Sequence, residues 1–184
     1  SLAIAADLRA QREALQASVT AAPQDTRAAR ELLAALQAQT DPTPVIDPAT
    51  ADAELERRLA QSSAALTDWR RRLDEANTLL VNARTGPERA QSEISTSQAR
   101  MATIEIALGT SREPGRDGRA LTAERRDALA AEWHALDAQM ALRRAELAAN
   151  SPLLDLGQSR QDLATLEVAR LEAQVQALQT AINQ

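Results

Sequence analysis

His134 is the one histidine in the sequence, so it has the first claim to chemistry. An imidazole serves as a general base or a metal ligand only with partners at the right spacing. Asp137 lies three residues on, Glu132 falls on another face of a helix, and the chain has no cysteine. His134 therefore reads as a solvent-facing position beside Trp133. The carboxylates form no catalytic pair either. Glu54 with Arg58, Arg70 with Asp74, and Arg71 with Glu75 are four apart, the spacing of surface ion pairs that each contribute about tenths of a kcal/mol. The stretch from Trp69 to Glu75, WRRRLDE, reads as a charged helix face. A basic patch for anionic lipid or nucleic acid is the alternative, opposed by the interleaved acids and by the lack of an aromatic stacking platform. The basic, Gly-rich loop from Arg112 to Arg119 lacks the spacing of a phosphate loop and follows no strand. No HExxH, GxSxG, GxGxxG or EF-hand pattern occurs. No catalytic, metal or cofactor-binding residue is expected, and the chain does not read as an enzyme.

The composition belongs to long helices. Most of the apolar 44% is Ala and Leu, there is no Phe or Tyr, and Arg, Gln and Glu fill the polar faces. The net charge of −5 argues against nucleic acid as a partner, since phosphate binding needs a basic footprint. No run of eighteen or more apolar residues exists to span a bilayer, and the N-terminus lacks the charged and apolar regions of a signal peptide.

Breaks at Pro and Gly divide the chain into six expected helices, giving an all-α, elongated antiparallel helical bundle or coiled coil. The first runs from about Leu2 to Ala21, with Ile4, Leu8, Gln11 and Leu15 on one face. The second follows Pro23, from about Asp25 to Thr40, with Thr26, Ala29, Leu33 and Leu36 in line. DPTPVIDP then makes a rigid extended connection, because each residue before Pro is pushed away from helical geometry. Asp47 is placed to cap the next helix, with Pro48 at its first position.

That third helix carries the clearest heptad stripe, Leu55, Leu59, Ser62, Leu66, Trp69, Leu73, Ala76 and Leu80. A fourth helix after Pro87 continues with Ile94, Ser97, Met101, Ile104 and Leu108. A fifth starts near Thr122 and carries Leu129, Trp133, Leu136, Met140, Arg143 and Leu147. The sixth starts at Ser151-Pro152 and sets Leu154, Gly157, Gln161, Ala164, Val168, Leu171, Val175, Leu178 and Ile182 on its seam. Leu156, Leu163 and Leu166 add a second stripe to its first half, which implies neighbours on two sides there. Residues 1–46 read as an N-terminal helical pair with the Pro-rich connection. Residues 47–184 read as one coiled-coil region that stops within its last helix. Trp69 and Trp133 are expected in the seam as core residues. Arg143 and Gln161 are polar at seam positions; snorkelling at a frayed seam is the favoured reading, and setting the register between helices is the other.

Asn150-Ser151, Leu153-Leu154-Asp155-Leu156, Arg160-Gln161-Asp162-Leu163, Arg170-Leu171-Glu172 and Ile182-Asn183 form a specific pattern, preceded by LTAERRDALAAEWHALDAQMALRRAELA. Together with LERRLAQ at Leu55–Gln61 and TGPERAQ at Thr85–Gln91, it resembles the N-terminal extracytoplasmic "MscS porin" domain of large mechanosensitive channels of the MscK/KefA type. The similarity runs from about Asp47 to Asn183 and is strongest after Leu121; residues 1 to 46 match in helical character alone. Gly157 departs from a seam of bulky residues. The resemblance implies a periplasmic helical region of an inner-membrane channel, ahead of a tension-gated pore that is a homo-oligomer, heptameric in this family. It implies partners within the channel chain and its neighbouring subunits, a structural or contact-making role that biases gating or assembly, and no catalysis. "Porin" would suggest a β-barrel, but the alternating strands and aromatic girdles of one are missing. A coiled-coil adaptor or tether that binds partner helices of the cell envelope is the alternative. A helical ligand-binding bundle or enzyme is a third reading, with few residues to build its pocket.

Overall fold

The computed structural model describes residues 2–39, 46–47, 49–114 and 118–183. Among them the fold is all-α. Three helices follow in order: α1 (Leu2–Gln37), α2 (Asp52–Thr110) and α3 (Ala123–Ile182). No strand occurs among the described residues; an isolated antiparallel bridge joins Arg112 and Ala120.

Three helices stand where breaks at proline predict six. Pro23, Pro87 and Pro152 lie inside α1, α2 and α3. An interior proline removes one backbone hydrogen bond and costs about 3 kcal/mol. Against that stands the apolar seam, whose seven-residue phase runs through each proline. Leu15, Ala22 and Ala29 are seven apart across Pro23. Leu73, Leu80, Pro87, Ile94 and Met101 keep the interval in α2, as Met140, Leu147 and Leu154 do in α3. A helix that stopped and restarted would have no reason to hold phase. A helix that continues must hold it to keep its seam on its neighbours.

The ends follow from local chemistry. Asp47 does not cap α2: its Oδ1 accepts the Ala49 N–H at 2.9 Å, closing a turn, and the helix begins five residues later. Pro48, expected to open that helix, and most of the Pro-rich connection lie outside the described residues. Asp52 and Glu54 in the first turn suit the positive end of the helix dipole. At the other end Ser111 takes a left-handed φ of 55°, and the Arg112 N–H reaches back to the Ala107 carbonyl at 3.2 Å, a Schellman-type stop. Thr122 Oγ1 then accepts the Arg125 N–H at 3.2 Å and caps α3.

The chain divides into two compact units. The first contains Ser1–Ala21 and Ala83–Ser151; the second contains Ala22–Asn82 and Pro152–Gln184. Each draws a segment from all three helices. In the first unit the core gathers around Ile104, Ala107 and Leu129, with Leu108, Leu121, Trp133 and Leu136 packed against them. In the second, Leu55, Leu66, Ala76, Leu80, Leu156, Leu163, Ala164 and Leu178 are buried, joined by Ala22, Thr26 and Ala29 from α1. Of the face expected of the first helix, Leu8 and Leu15 are half-buried, but Ile4 and Gln11 are exposed and their neighbours Ala5 and Arg12 lie inward.

Candidate interaction surfaces and the polar contacts of the seam

Of the expected seam residues, Leu55, Leu66, Leu80, Met101, Ile104, Leu129, Met140 and Leu178 are buried. Leu59, Trp69, Leu73, Ile94, Leu108, Trp133, Leu136, Leu147, Val168, Leu171, Val175 and Ile182 are half-buried. Ala83 and Ala90, which the reading by large side chains missed, are buried at seven-residue intervals with the expected Ser97 on α2, and Leu142 is buried on α3 seven residues before Ala149. Their spacing was the available signal.

Within the first unit α2 and α3 run antiparallel. Arg100 donates to both carboxylate oxygens of Glu132, from Nε at 2.6 Å and from Nη2 at 2.9 Å. Arg143, a half-buried residue of α3, donates from Nε to Glu93 of α2 and from Nη1 to Glu146 at 2.7 Å. The Trp133 indole N–H donates to Glu105 Oε1 at 3.0 Å. As the α2 number falls from Glu105 to Glu93, the α3 partner rises from Trp133 to Arg143. The Arg100 guanidinium holds the Glu132 carboxyl below the usual carboxylate range. Arg143 is raised, by its bond to Glu146 first, against desolvation.

Within the second unit α2 and α3 are again antiparallel, but their most buried polar contact is neutral. Gln161 Nε2 donates to Asn77 Oδ1 at 2.7 Å. Arg143 and Gln161 therefore both reach the opposing helix, where fraying at the seam was the expectation. Beside Gln161, Gly157 is buried, and a Cβ there would meet Leu80 Cδ2 and Cγ at 3.0 Å. The missing side chain is the space that the Leu80 side chain occupies. Arg70 pairs with Glu172 of α3 at 2.8 Å, not with Asp74 four residues on. The expected pairs Glu54–Arg58 and Arg71–Glu75 are present. Hydrogen bonds from Arg57 and Arg58 lower the Glu54 carboxyl to about 2. α1 joins α3 through Arg30 Nε to Ser159 Oγ at 3.1 Å and Arg160 to Asp25 at 3.1 Å.

Two clefts are lined by the tryptophans. One, of about 310 Å³ in the first unit, lies over Glu105, Leu108, Ala130, Trp133 and His134. His134 is exposed and meets Trp133 edge-on, with ring centroids 5.4 Å apart. Among the described residues no group of three or more His, Asp or Glu could hold a metal ion. The other, about 590 Å³ in the second unit, has a floor of Ala29, Leu32, Trp69, Ala76, Leu79 and Leu163. Its charged rim is largely self-paired: Arg160 with Asp25, Arg71 with Asp68 and Glu75, and Arg72 with Asp68. Arg72 also lies 4.7 Å from the Trp69 ring centre. Neither cleft brings a set of reactive groups together.

Residues 1–184 match the family described as mechanosensitive ion channel porin domain. The chain belongs to that family. The mechanosensitive channel MscK of Escherichia coli (strain K12) is 33% identical over 131 residues, which cover 71% of this chain and 11% of that protein. This mechanosensitive-channel porin domain thus matches a small part of a much longer relative. No solved structure matches it. Among its described residues no helix is long and apolar enough to cross a membrane. For this member of the family, "porin" names an all-helical fold over the described residues.

Proposed function

We propose that this porin domain is the periplasmic helical part of an inner-membrane mechanosensitive channel, and that its work is mechanical and contact-making. It positions the rest of the channel chain and neighbouring subunits of a homo-oligomer, heptameric by family resemblance, and so biases gating or assembly. The observation that carries the reading is the continuity of the helices. α2 and α3 extend over 59 and 60 residues through interior prolines, and the seven-residue apolar spacing holds its phase across each proline. Such helices carry displacement along their length, and the clefts beside them offer surface for contact instead of groups for catalysis.

The test is excision of this region from the parent channel, with tension thresholds read in membrane patches and oligomer size read in detergent. The expected result is a conducting channel with a shifted threshold or weakened assembly. An unchanged threshold together with unchanged assembly would overturn the proposal. A second reading, a tether that binds a partner helix of the envelope, is favoured by the cleft over Trp69, where Leu32 stays 56% exposed.

A further inference from the structure

We propose that the pairing register of α2 and α3 in the first unit is written in two oppositely charged residues of α2 spaced one heptad apart, Glu93 and Arg100. A seam that repeats every seven residues does not by itself fix its register. Sliding one helix by a heptad returns most apolar positions to apolar positions, so Ile94 is replaced by Met101 and Met101 by Leu108. What does not repeat is the charge. Glu93 sits beside Arg143 and Arg100 beside Glu132, both as cross-helix ion pairs.

A slide by seven residues in one direction moves Arg100 into the place of Glu93. Two guanidinium groups, Arg100 and Arg143, then face each other. The opposite slide moves Glu93 into the place of Arg100, and two carboxylates, Glu93 and Glu132, face each other. The true register makes two attractive pairs, and each neighbouring register makes a repulsive one. Gln139, whose Nε2 lies 3.5 Å from Glu93, gains nothing from an arginine in that place. Packing acts in the same sense, since Ile104 would exchange with Ser97 against the Leu129 core. The experiment is chosen to separate the two contributions.

Arg100→Glu reverses both signs at once. It sets two carboxylates together in the present register, and in the neighbouring register it sets the new carboxylate against the Arg143 guanidinium, an attractive pair. The full chain has no cysteine, so Ala102→Cys and Ala148→Cys, both at exposed sites, take spin labels without competition. One heptad displaces a helix by about 10 Å along its axis, and this slide brings the two labels closer. The expected result is a shorter label distance in Arg100→Glu, returned to the parent value by Arg100→Glu with Glu132→Arg. If Arg100→Glu does not fold, the fourfold neutral variant Glu93→Gln, Arg100→Gln, Glu132→Gln, Arg143→Gln decides. Two distance populations in it support the charge code; the parent distance alone assigns the register to packing and overturns the proposal. In a folded Arg100→Glu, an unchanged distance overturns it as well.

Discussion

The two units use the same helices and the same seven-residue repeat, yet they join α2 to α3 differently. The first unit relies on ion pairs, Arg100–Glu132 and Arg143–Glu93, around a core whose flanks are Leu108 and Leu136. The second places a neutral amide pair, Gln161 with Asn77, next to a close approach at Gly157. Its cross-helix ion pair Arg70–Glu172 is about half exposed on both sides, where screening leaves little net stabilisation. One repeat thus supports two kinds of contact. Both cores rest on side-chain volume; the polar contacts across the α2–α3 seam are charged in the first unit and neutral, beside a close approach, in the second.

The largest effects should come from volume in either core. Leu129 is fully buried in the first unit, and Leu129→Ala is expected to cost about 2–5 kcal/mol, the transfer of the side chain plus the cavity left behind. Leu171 in the second unit is half-buried, and Leu171→Ala should cost about 1–2 kcal/mol. Denaturant melts of both variants, followed by helicity, measure the difference. Equal losses would mean that burial does not grade the seam.

The next effect is specific to the second unit. Gly157→Leu places a branched side chain where Leu80 already stands, and overpacking of this kind costs about 1–3 kcal/mol. A Cβ at Gly109 would have nothing within 4 Å, so Gly109→Ala in the first unit should raise helix stability by about 1 kcal/mol. Opposite shifts in melting temperature are the expected outcome. If Gly157→Leu leaves the melting temperature unchanged or raises it, the close approach at Gly157 is not what holds α3 against α2.

Much of this was legible in the sequence, and the failures have physical causes. Leu55, Leu66 and Leu80, or Leu129 and Met140, announce their seam by spacing because period and polarity coincide. The three prolines mislead when the local cost of a proline is weighed without the phase of the stripe on its far side. Leu80, Pro87 and Ile94 are evenly spaced, and that regularity was the sign of one helix. Arg143 and Gln161 were visible as polar seam residues. Their partners Glu93 and Asn77 were not, because an antiparallel pairing joins residues far apart in number, and its register shows only in three dimensions. Gly157 looked like a weak point for the same reason: the side chain that fills it, Leu80, belongs to another helix.

The smallest effect separates the units by charge. The Glu132 carboxyl is held below its ordinary value of 4.5 by the hydrogen bonds from Arg100. A carboxylate whose pKa is lower in the folded chain adds stability at pH above the ordinary value. That stability is lost as the pH falls through the lowered value, since the protonated acid no longer attracts the guanidinium. Gln161 and Asn77 do not titrate. Acidification from neutrality into the carboxylate range should therefore loosen the first unit around Arg100 and Glu132 before the second around Asn77 and Gln161. Amide hydrogen exchange corrected for its own pH dependence measures this locally. Protection beside Arg100 and Glu132 should fall earlier than beside Asn77 and Gln161, and Arg100→Gln should remove most of that excess sensitivity. Equal loss at the two places, or a sensitivity that survives Arg100→Gln, would show that the ion pair is not what sets them apart.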